Sequence, residues 1–322
     1  DERLFLEFDG VMACSSVYVD DKLAGYRPNG YVGFTYDITD LVTPGKDAVI
    51  AVKVDNSVQP ASRWYTGSGI NRHVRLVSKN ACHIPMNGAF VSYNDGKVEI
   101  KTTVANTSKS STKVSLRYIL KDADGKTMAS GNIPASQIEA GLQTEISGSI
   151  DIKNPHLWSV DDPYLYTLEV SVMDGRKELD KETVTTGLRT IRFDNEKGFF
   201  LNGQNIKMYG VCLHSDAGAL GTAVPASVWE YRLQQLRRLG VNAVRMAHNP
   251  ADPTLMELCD RMGFLVMDEA FDMWERPKTT YDYARFFADH AENDVASWVR
   301  RDRNHPSLLM WSIGNEIFDT HA

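Results

Sequence analysis

The feature that most constrains the fold is the alternation of strand-like and helix-like segments after about residue 193. Apolar runs at residues 206–211, 241–246, 264–267 and 308–313 are separated by segments of helical periodicity. Such βα units build a parallel sheet, which is either an open doubly wound sheet or a barrel. A (β/α)8 TIM barrel needs eight units, so the sequence fits the first half of a TIM barrel.

The helical segments carry end signals. Asp252 followed by Pro253 is typical of an N-cap residue and a first-turn proline, and Gly263 and Gly240 stand where helices end. The first helix is predicted to bury one apolar face formed by Val228, Leu233, Leu236 and Leu239.

The chain before this part contains short β-type runs broken by turn residues. We predict a β-sandwich over residues 1–80, and a compact immunoglobulin-like β-sandwich over residues 84–192. Residues 193–322 then form the half barrel. The protein is therefore predicted to be multidomain.

Charge and composition exclude several classes. The net charge of −7 gives no basic footprint for nucleic acid, and no stretch approaches the ~20 apolar residues that span a bilayer. Its four cysteines form no CxxC pair, which argues against a structural zinc site. We expect no nucleic-acid or membrane partner. The chain begins without Met, and we expect it to be an internal fragment of a longer protein.

Titratable and polar side chains follow each strand of the predicted half barrel. They are His214 after the first strand, Arg245 and His248 at the second, Asp268 and Glu269 at the third, and Asn315 and Glu316 at the fourth. Active sites of TIM barrels lie at the C-terminal ends of the strands. Four strands in succession with such residues favour a catalytic site there.

Glu316 is the strongest single candidate. It follows an apolar strand, and a carboxyl group emerging from a dry core is suited to general acid work. Asn315 beside it offers an amide for a substrate hydroxyl. The alternative is that Glu316 only forms an ion pair with Arg245.

Two motifs carry a resemblance to a known family. NAVRMAHNP at residues 242–250 resembles the NxxRxxHxP signature of glycoside hydrolase family 2, and RNHPSLLMWSIGNE at residues 303–316 resembles the second signature, which ends at the acid/base glutamate. Upstream, RWYTGSGINR at residues 63–72 resembles the closing motif of the family's sugar-binding jelly-roll domain.

The resemblance implies a retaining hydrolase of β-glycosides that works through a glycosyl-enzyme intermediate. It implies that Glu316 is the acid/base, that Asn315 holds the sugar 2-hydroxyl, that His248 lines the −1 subsite and that Arg245 orients the carboxylates. The nucleophile is expected beyond the end of this chain, so the chain alone is expected to be inactive. Glu269 is expected to support the site.

The sugar is less constrained. Segments 210–214, 216–221 and 271–274 resemble those of β-galactosidases, so we expect a terminal β-galactoside of an oligosaccharide or glycoconjugate as substrate, with β-glucuronidase and β-mannosidase as alternatives. His214, Asp268 and Trp274 are further candidates for substrate binding, and Trp64 is a weaker candidate for stacking on a sugar ring.

Other classes stay open at this stage. A carbohydrate-binding protein could keep the fold without the chemistry, and a metal-dependent hydrolase would have only His214 and Asp216 as a hint of ligands. We expect no metal site and no cofactor requirement for the chemistry, and leave open a divalent metal and a homo-oligomer.

Overall fold

A computed structural model of the chain describes residues 2–318, and its first region consists of antiparallel strands. The strands pair in the orders β5-β1-β8, β4-β3-β6 and β2-β7 around a core that includes Phe8, Val17 and Phe34. Their bounds are β1 Glu2–Phe8, β2 Val11–Met12, β3 Ser15–Val19, β4 Lys22–Arg27, β5 Phe34–Asp37, β6 Ile50–Val54, β7 Gly69–Ile70 and β8 Val74–Asn80.

The second region is a sandwich of two antiparallel sheets. One has the order β10-β11-β14 with β9 paired to β11, and the other has the order β13-β12-β15-β16. Alternate residues of β12, such as Leu116 and Tyr118, point into one shared apolar core. The bounds are β9 Cys82–His83, β10 Ala89–Asn94, β11 Lys97–Asn106, β12 Thr112–Lys121, β13 Thr127–Ile138, β14 Gln143–Asp151, β15 Tyr166–Asp174 and β16 Lys177–Thr186.

The third region opens with a small antiparallel sheet and continues as a parallel one. The parallel strands follow each other in sequence order, β20-β21-β22-β23, as in a barrel, without the reversal of a doubly wound sheet. The bounds are β17 Ile191–Asp194, β18 Gly198–Leu201, β19 Gln204–Asn205, β20 Gly210–Leu213, α1 Ala226–Arg238, β21 Ala243–Met246, α2 Pro253–Met262, β22 Leu265–Glu269, α3 Ala284–Asp302 and β23 Leu308–Ser312.

These sheets confirm the predicted fold class of a β-sandwich, an immunoglobulin-like sandwich and part of a TIM barrel. The limits 1–80, 84–192 and 193–322 stay predictions. Residue 1 and residues 319–322 of the predicted domains lie outside the described residues.

The helix-end predictions are confirmed, with one exception. Asp252 caps α2 by accepting a hydrogen bond from Thr254 N at 2.9 Å, and Gly263 and Gly240 have φ angles of 69° and 80° beyond the ends of α2 and α1. Leu239 is 80% exposed at the C-cap of α1, so its predicted burial is wrong. The first barrel strand begins at Gly210, four residues later than the predicted start at 206, because the chain from 204 first completes the β18–β19 hairpin.

The first region is docked onto the half barrel through buried polar contacts. Arg27 forms a 2.6 Å ion pair with Asp294 of α3, and both side chains are at least nine-tenths buried. Thr222, before α1, donates a 2.8 Å hydrogen bond to the carbonyl of Thr66. These contacts hold the loop that contains Arg63 and Trp64 against the C-terminal ends of the barrel strands.

Over residues 2–318, every helix falls short of the length and apolar character that a bilayer crossing requires.

Candidate active site

The C-terminal ends of β20 to β23 bring most of the predicted site residues together. Side chains alternate along a strand, so Arg245 in β21 and Glu269 in β22 point to the inner face of the sheet. His248 follows β21 and Asn315 follows β23 at the same edge.

Glu269 is wholly buried and surrounded by donors. One carboxylate oxygen accepts from Nε and Nη2 of Arg245 at 3.1 and 2.7 Å and from Ser312 Oγ at 2.6 Å. The other lies 2.6 Å from Nδ1 of His248. A carboxylate held in this way orients its neighbours, and has little freedom to attack a substrate.

Asn315 is fixed at both ends of its amide group. Its Oδ1 accepts from Arg245 Nη2 at 3.0 Å, and its Nδ2 donates to Asp272 Oδ1 at 2.9 Å. Because arginine only donates and an ionised carboxylate only accepts, the amide has one orientation. Among the described residues, the second hydrogen of Nδ2 has no acceptor and could be donated to a ligand.

Asp272 is a central residue that the sequence interpretation missed. Its carboxylate accepts hydrogen bonds from Arg63 of the first region, from Lys278 Nζ at 3.2 Å and from Asn315. Burial alone would raise the pKa of Asp272, but hydrogen bonds from Arg63, Asn315 and Lys278 lower it below its ordinary value. The segment 271–274 was singled out in the sequence, but nothing local pointed to a partner 209 positions away.

The two histidines form an aromatic group with Trp64. The ring of Trp64 lies 4.9 Å from His214 and 5.9 Å from His248, and the two histidine rings meet edge to face at 5.6 Å. Burial, followed by the nearby His248, lowers the pKa of His214, which favours a neutral ring. Nδ1 of His214 is buried with no hydrogen-bond partner among the described residues.

Glu316 directly follows Asn315 at the same edge of the sheet. In this four-stranded half barrel Glu316 is exposed, and its φ is 46°. The expectation that it emerges from a dry core stays a prediction, since the described residues contain only four strands of the barrel. The alternative pairing with Arg245 is not seen in this part of the chain, where Arg245 donates to Glu269 and Asn315.

Asp268 lies on the opposite face from the predicted site. β22 extends through Glu269, so Asp268 points toward the helices, where it accepts hydrogen bonds from Ala251 N and Trp298 Nε1. It is wholly buried, and burial together with the charge of Asp302 raises its pKa well above the ordinary value. Asp268 was expected to contact the substrate, but its side chain lies on the other side of the sheet, where it supports the strand.

Asp268 belongs to a second charged group, which we call the outer cluster. Arg301 binds Asp302 through Nε at 2.7 Å, and His305 Nδ1 lies 2.5 Å from Asp260. The outer cluster consists of Asp260, Asp268, Arg301, Asp302 and His305.

Trp274 borders the site. Its Nε1 donates to the carbonyl of Ile313 at 2.9 Å, and its ring stacks on Phe287 with centroids 6.0 Å apart. These contacts hold the turn that leads to Asn315, and they leave the role of Trp274 in sugar binding a prediction.

We call the group at the strand ends the mouth cluster: Arg63, Arg245, His248, Glu269, Asp272, Lys278, Asn315 and Glu316. Within the described range, no three side chains of the usual metal-ligating types come together, His214 and Asp216 included.

Comparison with family models divides the chain among three of them. Residues 1–80 match the model "Glycosyl hydrolases family 2, sugar binding domain", residues 86–189 match "Glycosyl hydrolases family 2", and residues 192–321 match "Glycosyl hydrolases family 2, TIM barrel domain".

Individual proteins are similar over nearly the whole chain. A beta-galactosidase from Bacteroides ovatus is 44% identical over 98% of this chain, and a beta-glucuronidase from Bacteroides fragilis is 29% identical, also over 98%. The chain spans 37% and 48% of these relatives. A solved glycosyl hydrolase family 2 member from Bacteroides cellulosilyticus superposes with a TM-score of 0.95 at 38% identity, covering 99% of this chain and 41% of that protein.

Proposed function

Because the chain belongs to glycosyl hydrolase family 2, we propose that the protein carrying it is a retaining β-glycosidase that removes terminal β-galactosyl groups. The observation that carries the proposal is the position of Glu316 directly after Asn315, whose amide is clamped between Arg245 and Asp272. An acid beside a fixed hydroxyl-binding amide is what cleavage of a glycosidic bond requires.

In the proposed reaction, Glu316 donates its proton to the glycosidic oxygen as the aglycone leaves. The same carboxylate then takes a proton from the water that hydrolyses the glycosyl-enzyme intermediate.

Asn315 is proposed to donate its remaining amide hydrogen to the sugar 2-hydroxyl. Hydrogen bonds to this hydroxyl strengthen as the sugar becomes oxocarbenium-like, so a fixed donor lowers the barrier more than it tightens ground-state binding. Arg245 and Asp272 supply the rigidity that this effect needs.

The nucleophile is proposed to come from a carboxylate other than Glu269. Both oxygens of Glu269 are occupied by Arg245, His248 and Ser312, and the side chain is wholly buried. In line with the resemblance, we place the nucleophile on a later barrel strand and expect residues 1–322 alone to be inactive.

The choice of galactose is supported by the Bacteroides ovatus relative, a beta-galactosidase. β-Glucuronidase is the second candidate, supported by the Bacteroides fragilis relative. The aromatic face of Trp64 beside His214 and His248 would suit the apolar face of either pyranose.

The proposal is tested with the full-length gene product and aryl β-galactoside, β-glucuronide and β-mannoside substrates. We expect the highest kcat/KM for the galactoside, with the sugar released as the β-anomer. A preference for the glucuronide would replace the substrate and keep the mechanism. Binding of galactosides without hydrolysis of any of the three would favour a carbohydrate-binding protein.

A further inference from the structure

Arg63 belongs to the first region, yet its side chain reaches the strand ends of the half barrel. Its Nε lies 2.9 Å from Oδ2 of Asp272 and its Nη2 lies 2.5 Å from Oδ1. This two-pronged contact fixes the plane of the carboxylate as well as its position.

Asp272 transmits that geometry to Asn315. The side chain of Asp272 is 2% exposed, and its Oδ1 accepts the 2.9 Å hydrogen bond from Asn315 Nδ2. Lys278 also contacts Oδ1, at 3.2 Å, but an ammonium group is a point charge and leaves the carboxylate plane free to rotate. Arg63 is thus the contact that sets the direction of the acceptor.

The loop around Arg63 is itself held firmly. Trp64 N donates to Ser62 Oγ at 3.1 Å, and Asn56 Nδ2 donates to the carbonyl of Gly67 at 2.7 Å. Thr222 of the half barrel holds Thr66 from the other side. Because the loop is held in place, the side chain of Arg63 can determine the position of Asp272.

We propose that Arg63 is a positioning residue for the reaction: by fixing Asp272, it aims the free amide hydrogen of Asn315 at the sugar 2-hydroxyl. This inference rests on the proposed function. It makes the sugar-binding region part of the catalytic apparatus through a residue that contacts no substrate.

The test compares an aryl β-galactoside with its 2-deoxy counterpart in the full-length protein. Removing the 2-hydroxyl removes the group through which Arg63 is proposed to act. We expect Arg63→Ala to lower kcat/KM for the galactoside by roughly 10- to 100-fold, the loss that a misplaced group brings, and to lower that for the 2-deoxy substrate by less than about 3-fold.

A second experiment introduces Arg63→Ala into the Asn315→Ala variant. If Arg63 acts through Asn315, adding Arg63→Ala to Asn315→Ala costs little more activity on the galactoside, because interacting residues are non-additive. Arg63→Lys keeps the charge without the fork, and is expected to show the same substrate-selective loss to a smaller degree. It carries the same comparison if Arg63→Ala does not fold.

The matched control is Arg75→Ala. Arg75 pairs with Asp9 at 2.7 Å in the same region and is 48% exposed, against 39% for Arg63, but it lies outside the mouth cluster. We expect both substrates to be cleaved by Arg75→Ala as by the wild type.

Equal losses on both substrates, or no loss on either, would overturn the inference and leave the proposed function in place. Additive losses in the double variant would do the same. A wild-type protein that cleaves no β-glycoside would instead refute the proposed function, and the inference with it.

Discussion

The mouth cluster and the outer cluster are built by the same strands and lie on opposite sides of one sheet. Glu269 and Asp268 are neighbours in β22, and both are wholly buried. Glu269 holds Arg245 and His248 in the mouth cluster. Asp268 faces Ala251 and Trp298 on the other side of the sheet. Adjacent acidic residues thus have different tasks because strand alternation sends one to each face.

The comparison distinguishes residues that are proposed to act in catalysis from residues that stabilise the fold. In the outer cluster, the acidic and basic groups engage one another: Arg301 binds Asp302, and His305 lies between Asp260 and Asp302. In the mouth cluster, the side chain of Glu316 forms no hydrogen bond among residues 2–318, and only one of the two amide hydrogens of Asn315 is engaged there. Variants of the two clusters should therefore differ in which measurement they change.

The largest effect is expected for Glu316→Gln in the full-length protein. Loss of general acid catalysis should lower kcat/KM for a phenyl β-galactoside by about 10³-fold, or about 4 kcal/mol in the barrier. A dinitrophenyl β-galactoside, whose leaving group needs no proton, should keep nearly all of its kcat/KM. The thermal midpoint should stay close to that of the wild type, because Gln has nearly the size and shape of Glu. Equal, small losses on both substrates would remove Glu316 from the acid/base role.

Asp302→Asn tests the other side of the comparison. Removing the charge of Asp302 leaves the buried Arg301 without the carboxylate that it contacts at 2.5 Å, and we expect the free energy of unfolding to fall by about 3–5 kcal/mol in denaturant titrations. The ratio of kcat/KM for phenyl and dinitrophenyl galactosides should stay that of the wild type in the remaining folded protein. A changed ratio would mean that the outer cluster takes part in the chemistry.

The pH dependence of stability should report on His305. Burial lowers its pKa, but Asp260 and Asp302 outweigh this and raise it to about 9 from an ordinary value of 6.5. The charged form is favoured in the folded state, so the stabilisation is complete below about pH 6.5 and is lost as the pH rises through about 9.

We expect this loss to be on the order of 3 kcal/mol. The measurement is the free energy of unfolding from pH 6 to 10 for the wild type and His305→Gln. The difference between the two should disappear at the alkaline end. A constant difference across the range would show that His305 does not titrate with folding.

The smallest effect is expected for Glu178→Ala in the immunoglobulin-like sandwich. Glu178 pairs with Arg117 at 2.7 Å, but both side chains are about 40% exposed, so solvent screens the pair. We expect a change below about 0.5 kcal/mol in the free energy of unfolding. A loss comparable to that of Asp302→Asn would contradict the view that burial separates the outer cluster from ordinary ion pairs.

Local patterns were enough for much of the fold. Asp252, Gly240 and Gly263 mark helix ends because capping depends on a few consecutive residues. The predicted burial of Leu239 was wrong because the helix ends at Arg238, one residue before the apolar periodicity ends.

The site was predictable only where its residues follow strands directly. Asp268 was assigned to the wrong face because β22 continues two residues beyond the predicted end at 267, and alternation then decides its direction. Arg63 could not be paired with Asp272 from the sequence, since the contact depends on how two domains dock.

The loop that carries Arg63 and Trp64 also bears on how such proteins can be recombined. A chimera that takes its sugar-binding domain from one relative and its barrel from another would join Arg63 to a foreign residue at position 272. Unless both partners are transferred together, the barrel inherits a buried Asp272 with one fewer counter-charge. The crossover point of such a chimera should therefore lie outside residues 62–278. The boundaries between the domains fall inside this span and are poor crossover points.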